Sequence, residues 1–359
     1  MRLAALPRTL AAALLLCGGF VLPAAAATLL LCGGFVLPAA AAGPLLSDGT
    51  PVALSAARIE RFARGEDTTR FGRLTFLGGL DITSANRDVG GLSGLIVLDA
   101  GAEILAVTDN GLWVTFGLQQ SADGTPLALR APRFTPMLDA KGIELRRTQS
   151  SDTEAVTLGR NRGKQELFVS SERSNRILRF PWPPAADSRL ISGVETPKAL
   201  RELRGNKGLE ALAAAPDAGP LGGALIAIGE RGLSQTHDLP GFIIGGPRAG
   251  TFSITRSDNY DATDAAFLPD GDLVLLERRF NLRDWVGMRL RRIAADEIRP
   301  GAVLGGEILM EAGPAHQIDN MEGLAVHQDA QGRTILTILS DDNRSLLQRT
   351  LLLRFRLED

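Results

Sequence analysis

The sequence predicts an all-β fold, a single-domain β-propeller, with five blades favoured and six possible. Three observations carry that expectation. Short apolar runs follow one another without a convincing long amphipathic helix. Forty glycines and 19 prolines supply the turns such a chain requires. A pair of polar positions, one before and one after an apolar stretch, returns five times at nearly constant spacing.

The first 42 residues stand apart. Arg2 and Arg8 precede an apolar stretch and a small-residue tail, the pattern of a secretory signal peptide. The string LLLCGGFVLPAAAA occurs twice, at 14–27 and 29–42, and cleavage is expected after Ala27 or Ala42, with Ala42 favoured. Each copy falls short of the ~20 residues a membrane-spanning helix needs, and Gly-Gly and Pro interrupt both. The protein is therefore expected to be exported, periplasmic or secreted, with no stable membrane span once the signal is removed. Cys17 and Cys32 both lie in this segment, so the mature 317 residues contain no thiol for a disulfide or a metal.

Residues 43–70 read as a lead-in, in which VALSAARIERFARG (52–65) is either a short helix or irregular. From residue 71 to 359 the chain reads as the propeller. Its strands include GLIVLD (94–99), EILAVTD (103–109), LWVTFGL (112–118), ELFVSSE (166–172), ALIAIGE (224–230), DLVLLE (272–277), TILTILSDD (334–342) and TLLLRFRL (350–357). Only one clear strand follows Asp342, so RLTFLGGLDI (73–82) is expected to complete the last blade and close the ring with both ends of the chain. A sixth blade would have to lie hidden in 71–92 or 119–150.

Within each unit, Ser93, Glu154, Glu210, Asp264 and Glu322 precede a strand, and Asp109, Glu172, Glu230, Glu277 and Asp342 end the next one. The first position advances by 61, 56, 54 and 58 residues. In a propeller blade the first strand leaves one face of the disc and the second returns to it, so both positions are expected around one mouth of the central channel. Two unit charges ~7 Å apart repel by about 2 kcal/mol at an effective dielectric of about 20. Arg173, Arg231, Arg278 and Lys207 offset only part of the charge, leaving room for a divalent cation. Carboxylates with the amide oxygens of Asn110, Asn320 and Asn343 suit Ca²⁺, a hard ion that prefers oxygen. For Glu172 with Arg173, and Glu230 with Arg231, blade-to-blade clamping is an equal alternative. In DNMEG (319–323) and SDDN (340–343) the acids outnumber the bases, which favours a site.

The remaining features exclude more than they propose. A net charge of −2 offers no footprint for nucleic acid, and 5% aromatics argue against a sugar-binding groove. His237, His316 and His327 are too scattered for zinc, although His316, just before DNMEG, is a candidate acid or base. Ser93 in GLSGL reads as a turn residue, because a nucleophile elbow needs glycine where Leu95 stands.

The ordered motifs LTFLGGLDI, GGLSGLIV, VTDNGLW, DTEAVTL, SSERSNRILRF, NKGLEALA, DNMEGLAV, LSDDN and QRTLLLRFRL resemble the phytase-like family, known as esterase-like activity of phytase. The likeness covers nearly the whole mature chain; the Met of DNMEG stands where an aromatic is more usual. It implies an exported propeller that hydrolyses phosphate or other esters. On that reading Glu322, Asp342, Glu154, Glu210 and His316 carry the chemistry, and Arg173, Arg231, Arg278 and Lys207 hold a small ester or phosphate ligand. Asp109, Glu172, Glu230, Asp264, Glu277, Asp319 and Asn343 hold Ca²⁺. The alternative is a non-catalytic propeller that binds a small ligand or a protein; in either case the chain is expected to be a monomer.

Overall fold

The computed structural model describes residues 45–203, 208–232, 237–281 and 285–358. The signal segment, both cysteines and Lys207 lie outside these residues. Five antiparallel sheets follow one another along the chain. Blade 1 contains Leu92–Leu98, Glu103–Thr108, Leu112–Gln120 and Pro126–Pro136, from the axis outwards. Blade 2 contains Thr153–Asn161, Lys164–Ser171, Arg176–Pro181 and Ser192–Gly193. Blade 3 contains Leu209–Ala214, Leu225–Gly229, Leu239–Ile244 and Gly250–Ile254. Blade 4 contains Asp261–Phe267, Leu273–Asn281, Trp285–Ile293 and Glu307–Ala312. Blade 5 begins with Asn320–Gln328, Thr334–Asp341 and Thr350–Leu357, and Leu74–Ser84 from the other end of the chain completes it. Each inner strand touches the inner strands of both neighbouring blades, and blade 5 meets blade 1, so the five-blade ring is closed.

Five apolar clusters, one per seam, hold the ring together. Leu105 and Val107 turn towards blade 2, where Trp113 meets Phe180, whereas Ile104 and Ala106 turn towards blade 5. The period of two along a strand divides its side chains between two seams. Both faces are buried, so the strands read as unbroken apolar runs such as ILAV (104–107).

The lead-in forms no helix over 52–65. Thr50–Pro51 pairs with the outer strand of blade 1, and Leu54–Ile59 pairs antiparallel with Leu74–Ser84 of blade 5. The exposed edge of Leu74–Ser84 offers unpaired backbone groups, and pairing with them overrides a helical tendency. Phe62, fully buried against Phe76 and Phe355, anchors this strap at the closing blade. Among the described residues no helix is long and apolar enough to cross a membrane.

At one level around the axis the inner strands come too close for ordinary side chains. A Cβ on Gly94 would lie 2.6 Å from Ala155 Cα, and one on Gly323 would lie 2.2 Å from the Ser93 carbonyl oxygen. Ala155 and Ala211 fill the same position in blades 2 and 3. Blade 4 carries Asp264 there. Its buried carboxylate accepts the Ala265 N–H at 2.8 Å and the Leu324 N–H of blade 5 at 2.8 Å, and also bonds the Leu212 amide of blade 3. Asp264→Ala leaves those three amides without partners, so it is expected to cost at least about 3 kcal/mol in urea unfolding, given about 1–3 per orphaned group. An unchanged midpoint would contradict the clamp.

Candidate functional site

Strand register assigns the mouth residues. Leu92 pairs with Thr108, Thr153 with Ser171, Leu209 with Gly229, Ala262 with Glu277 and Met321 with Ser340. Immediately after the first member of each pair, the inner strands place Ser93, Glu154, Glu210, Thr263 and Glu322 at one level. Immediately after the second member stand Asp109, Glu172, Glu230, Arg278 and Asp341. The ring of acids is therefore open at blade 4, which contributes Thr263 and Arg278.

Asp264, Glu277 and Asp342 were expected in this ring, and each stands one residue off its place, Asp264 and Asp342 one after it and Glu277 one before it. In a strand a one-residue slip turns a side chain to the opposite face. Asp264 clamps backbone amides as described above. Glu277, fully buried, pairs with Arg291 (Nε to Oε2 2.9 Å), whose guanidinium also donates to the carbonyls of Thr255 and Gly305. Asp342 caps its own turn, accepting the N–H of Arg344 at 2.9 Å and that of Gly91 at 3.1 Å.

Four other expected residues have other places or partners. His316 packs on Phe62 and Phe71, with ring centroids 5.0 and 5.6 Å away, in the aromatic cluster beneath the strap. Asp319 orders the entry loop through the amides of Asn320 and Arg349. Asn343 sits in a left-handed turn (φ 48°) and donates its N–H to Asp341. Arg173 is largely exposed, 3.7 Å from Asp152.

The acids that do converge are crowded. One oxygen each from Asp152, Glu154 and Glu172 lie within 4.8 Å of one another, and so do oxygens from Glu172, Glu210 and Glu230. Burial pushes Glu154 and Glu210 well above the usual carboxylate range, and neighbouring acids push them further. Burial also raises Glu172, against the opposing pull of the Gly208 amide, and Glu230, against Arg231 and Arg278. Asp341 is pushed up to about 8 by burial and then by the charge of Glu322. Glu322 is itself raised by burial, though Arg278 and Asn320 pull it down.

Arg278 Nη1 donates to Glu322 Oε1 at 2.7 Å and to Asn320 Oδ1, and Nη2 lies 3.8 Å from Glu230. Arg231 bridges Glu230 and Asp261, while Arg344 donates to Asp109. No basic group is among the main influences on Glu154, and Arg278 acts on Glu210 through charge.

The donor set fits a hard cation: five carboxylates, with no histidine or thiolate among them. A separate observation points the same way. Ser93 is 1% exposed, lies in a strand rather than a turn, and occupies the ring level of Glu154, Glu210 and Glu322. Its Oγ has no hydrogen-bond partner. Sequence reasoning missed Asp152, Asp341, Thr263 and Arg344 as residues of this mouth. The small residue that follows each ring position (Gly94, Ala155, Ala211, Gly323) was the available register mark.

The sequence model of the phytase-like family, esterase-like activity of phytase, matches residues 87–344. No curated protein matches the sequence. Solved structures similar to the chain include a putative gluconolactonase, 10% identical, with 87% of this chain and 97% of that chain covered and a TM-score of 0.37. A luciferin-regenerating enzyme is 10% identical over 76% of this chain and 95% of that one, with a TM-score of 0.37. A protein of unknown function from Bacteroides caccae is 10% identical over 68% and 67%, with a TM-score of 0.31. At these scores the superpositions carry no argument, and the propeller stands on the chain's own sheets.

The raised acids set a pH dependence. The folded chain keeps protons on Asp341, Glu154 and Glu210 that the unfolded chain has released, so folding binds protons and stability falls as pH rises. Without divalent cations the decline is expected to start near the ordinary carboxylate value of about 4 and to extend to about 8, the folded value of Asp341. Glu210→Gln should raise the melting midpoint at pH 8 in chelator by about 2–4 °C and change it less at pH 5. Calorimetric melts across that range check both statements, and a flat profile would contradict them.

Proposed function

The chain belongs to the phytase-like family, and on that premise we propose that it hydrolyses phosphate or other esters at the acid-lined mouth of the channel. The observation that carries this reading is the division of the mouth. Carboxylates that outnumber their bases gather on blades 2 and 3, and the guanidinium of Arg278 faces them from blade 4. An anionic ester needs both a cation near its reacting centre and a fixed donor for its remaining oxygens. The paired basic start and small-residue tail of the first 42 residues support action outside the cytoplasm.

Asp152, Glu154, Glu172, Glu210 and Glu230 are the residues that would hold Ca²⁺. When bound, such an ion supplies charge that polarises an ester oxygen and makes a water easier to deprotonate. The protein's own groups account for the rest. The planar fork of Arg278 is suited to two oxygens of a phosphoryl or carboxyl group, and Asn320 and Glu322 fix its orientation. Asp341 retains a proton near neutral pH and can donate it to the departing oxygen, beside Glu322.

Calorimetric titration with Ca²⁺, followed by product release from a panel of phosphate and carboxylate esters, tests this function. Binding with turnover is expected. Glu154→Gln with Glu210→Gln should weaken Ca²⁺ binding at least about tenfold, as loss of two charged ligands requires. Arg278→Ala should lower kcat/KM by about 10²-fold, comparable with loss of one preorganised donor. Binding without turnover would leave a ligand-binding propeller, and turnover indifferent to these acids and to chelator would remove the mouth from the reaction.

A further inference from the structure

Beside the mouth, at the seam of blades 5 and 1, lies a cavity of ≈ 110 Å³. Leu54, Ile82, Val89 and Leu92 make its apolar wall, and Asp342 and Arg344 line it as well. Arg344 joins it to the ring of acids. Its Nη1 donates to Asp109 at 2.7 Å, and its Nη2 donates to the Gly90 carbonyl at 3.0 Å. Asp109 in turn is among the charges that raise Glu154 and Glu322. The Arg344–Asp109 pair thus lies at the border where the cavity adjoins the mouth, with both side chains 28% exposed.

We propose that this cavity receives the apolar organic group of the ester, so that the preferred substrates are esters of short apolar alcohols or acids rather than polyphosphorylated polyols. The inference rests on the hydrolase reading of the mouth. Size supports it, because a cavity of about 150 Å³ lined by aliphatic side chains holds benzene, and this one is smaller. It fits a short alkyl or acyl chain and excludes a ring carrying several phosphates.

Charge supports it too. Among the described lining residues the one guanidinium, Arg344, is already committed to Asp109, and Asp342 lines the cavity too, so a second anionic group placed there finds no free cation. Leu346, another lining residue, is 92% exposed at the cavity's edge. An apolar group in the cavity would cover that side chain and remove both surfaces from water.

The test uses the full mature chain with calcium present and two non-hydrolysable probes, methylphosphonate and n-butylphosphonate, followed by the matching alkyl phosphate esters as substrates. Three further methylenes in an apolar cavity are expected to tighten binding at least about tenfold for the butyl probe. Val89→Phe, which fills the cavity, and Leu346→Ser, an exposed change that spares the core, should each bring butyl binding close to that of methyl. Neither should move methyl binding. Equal affinity for both probes, or a butyl preference that survives Leu346→Ser together with a folded Val89→Phe, overturns the inference.

The two readings can fail separately. Hydrolysis without chain-length preference keeps the esterase and removes the subsite. A butyl preference lost in these variants, with no ester turned over, keeps the subsite and removes the hydrolase.

Discussion

Crowding at the axis governs this molecule. Five sheets meet edge-first, and at one level their inner strands approach so closely that a Cβ on Gly94 or Gly323 would collide with a neighbouring backbone. Gly94, Ala155, Ala211 and Gly323 are the side chains that fit, and they fix how far each strand advances before its polar residues begin. The residue just before each of them then faces the mouth at a common height. The site is a consequence of how closely the blades pack.

Blade 4 meets the same constraint differently, and its solution opens the ring. Asp264 takes the crowded position by bonding backbone amides on both sides, which satisfies its buried carboxylate. The acids of this blade are thereby committed to structure, since Glu277 is also tied to Arg291 inside the sheet. What remains for the mouth is Thr263 and Arg278. A ring of like charges alone would repel itself; one guanidinium set into it, hydrogen-bonded to Glu322 and Asn320, gives the mouth a negative side and a positive side.

Two kinds of ion pair therefore share one sequence pattern. Arg179 with Glu166 and Arg291 with Glu277 lock strands together within their sheets. Glu154 and Glu210 have no such base and carry protons well above the ordinary range instead. Buried acids without a base bonded to them are costly to keep. They stand at the ring level of Ser93, whose buried hydroxyl has no hydrogen-bond partner, and this acid-rich level could hold a hard cation.

The sequence by itself determined the all-β class, the five repeats and the closing of the ring by residues 73–82. Those features are written in local periodicity, and periodicity survives in one dimension. It also marked Glu154, Glu210, Glu322, Asp109, Glu172, Glu230 and Arg278 as residues of one mouth. Only the tertiary structure decided that Asp264, Glu277 and Asp342 face elsewhere: a β-bulge recurs at this level in every blade, strand register then sets the mouth positions, and these three acids stand one residue off that register. Likewise Leu54–Ile59, within the stretch 52–65 that is ambiguous in isolation, became strand because the edge of Leu74–Ser84 was there to pair with. Which acid is a clamp and which is free depends on the neighbour across the seam, and that neighbour is some 60 residues away in sequence, as Asp264 is from Leu324 (|i−j| = 60).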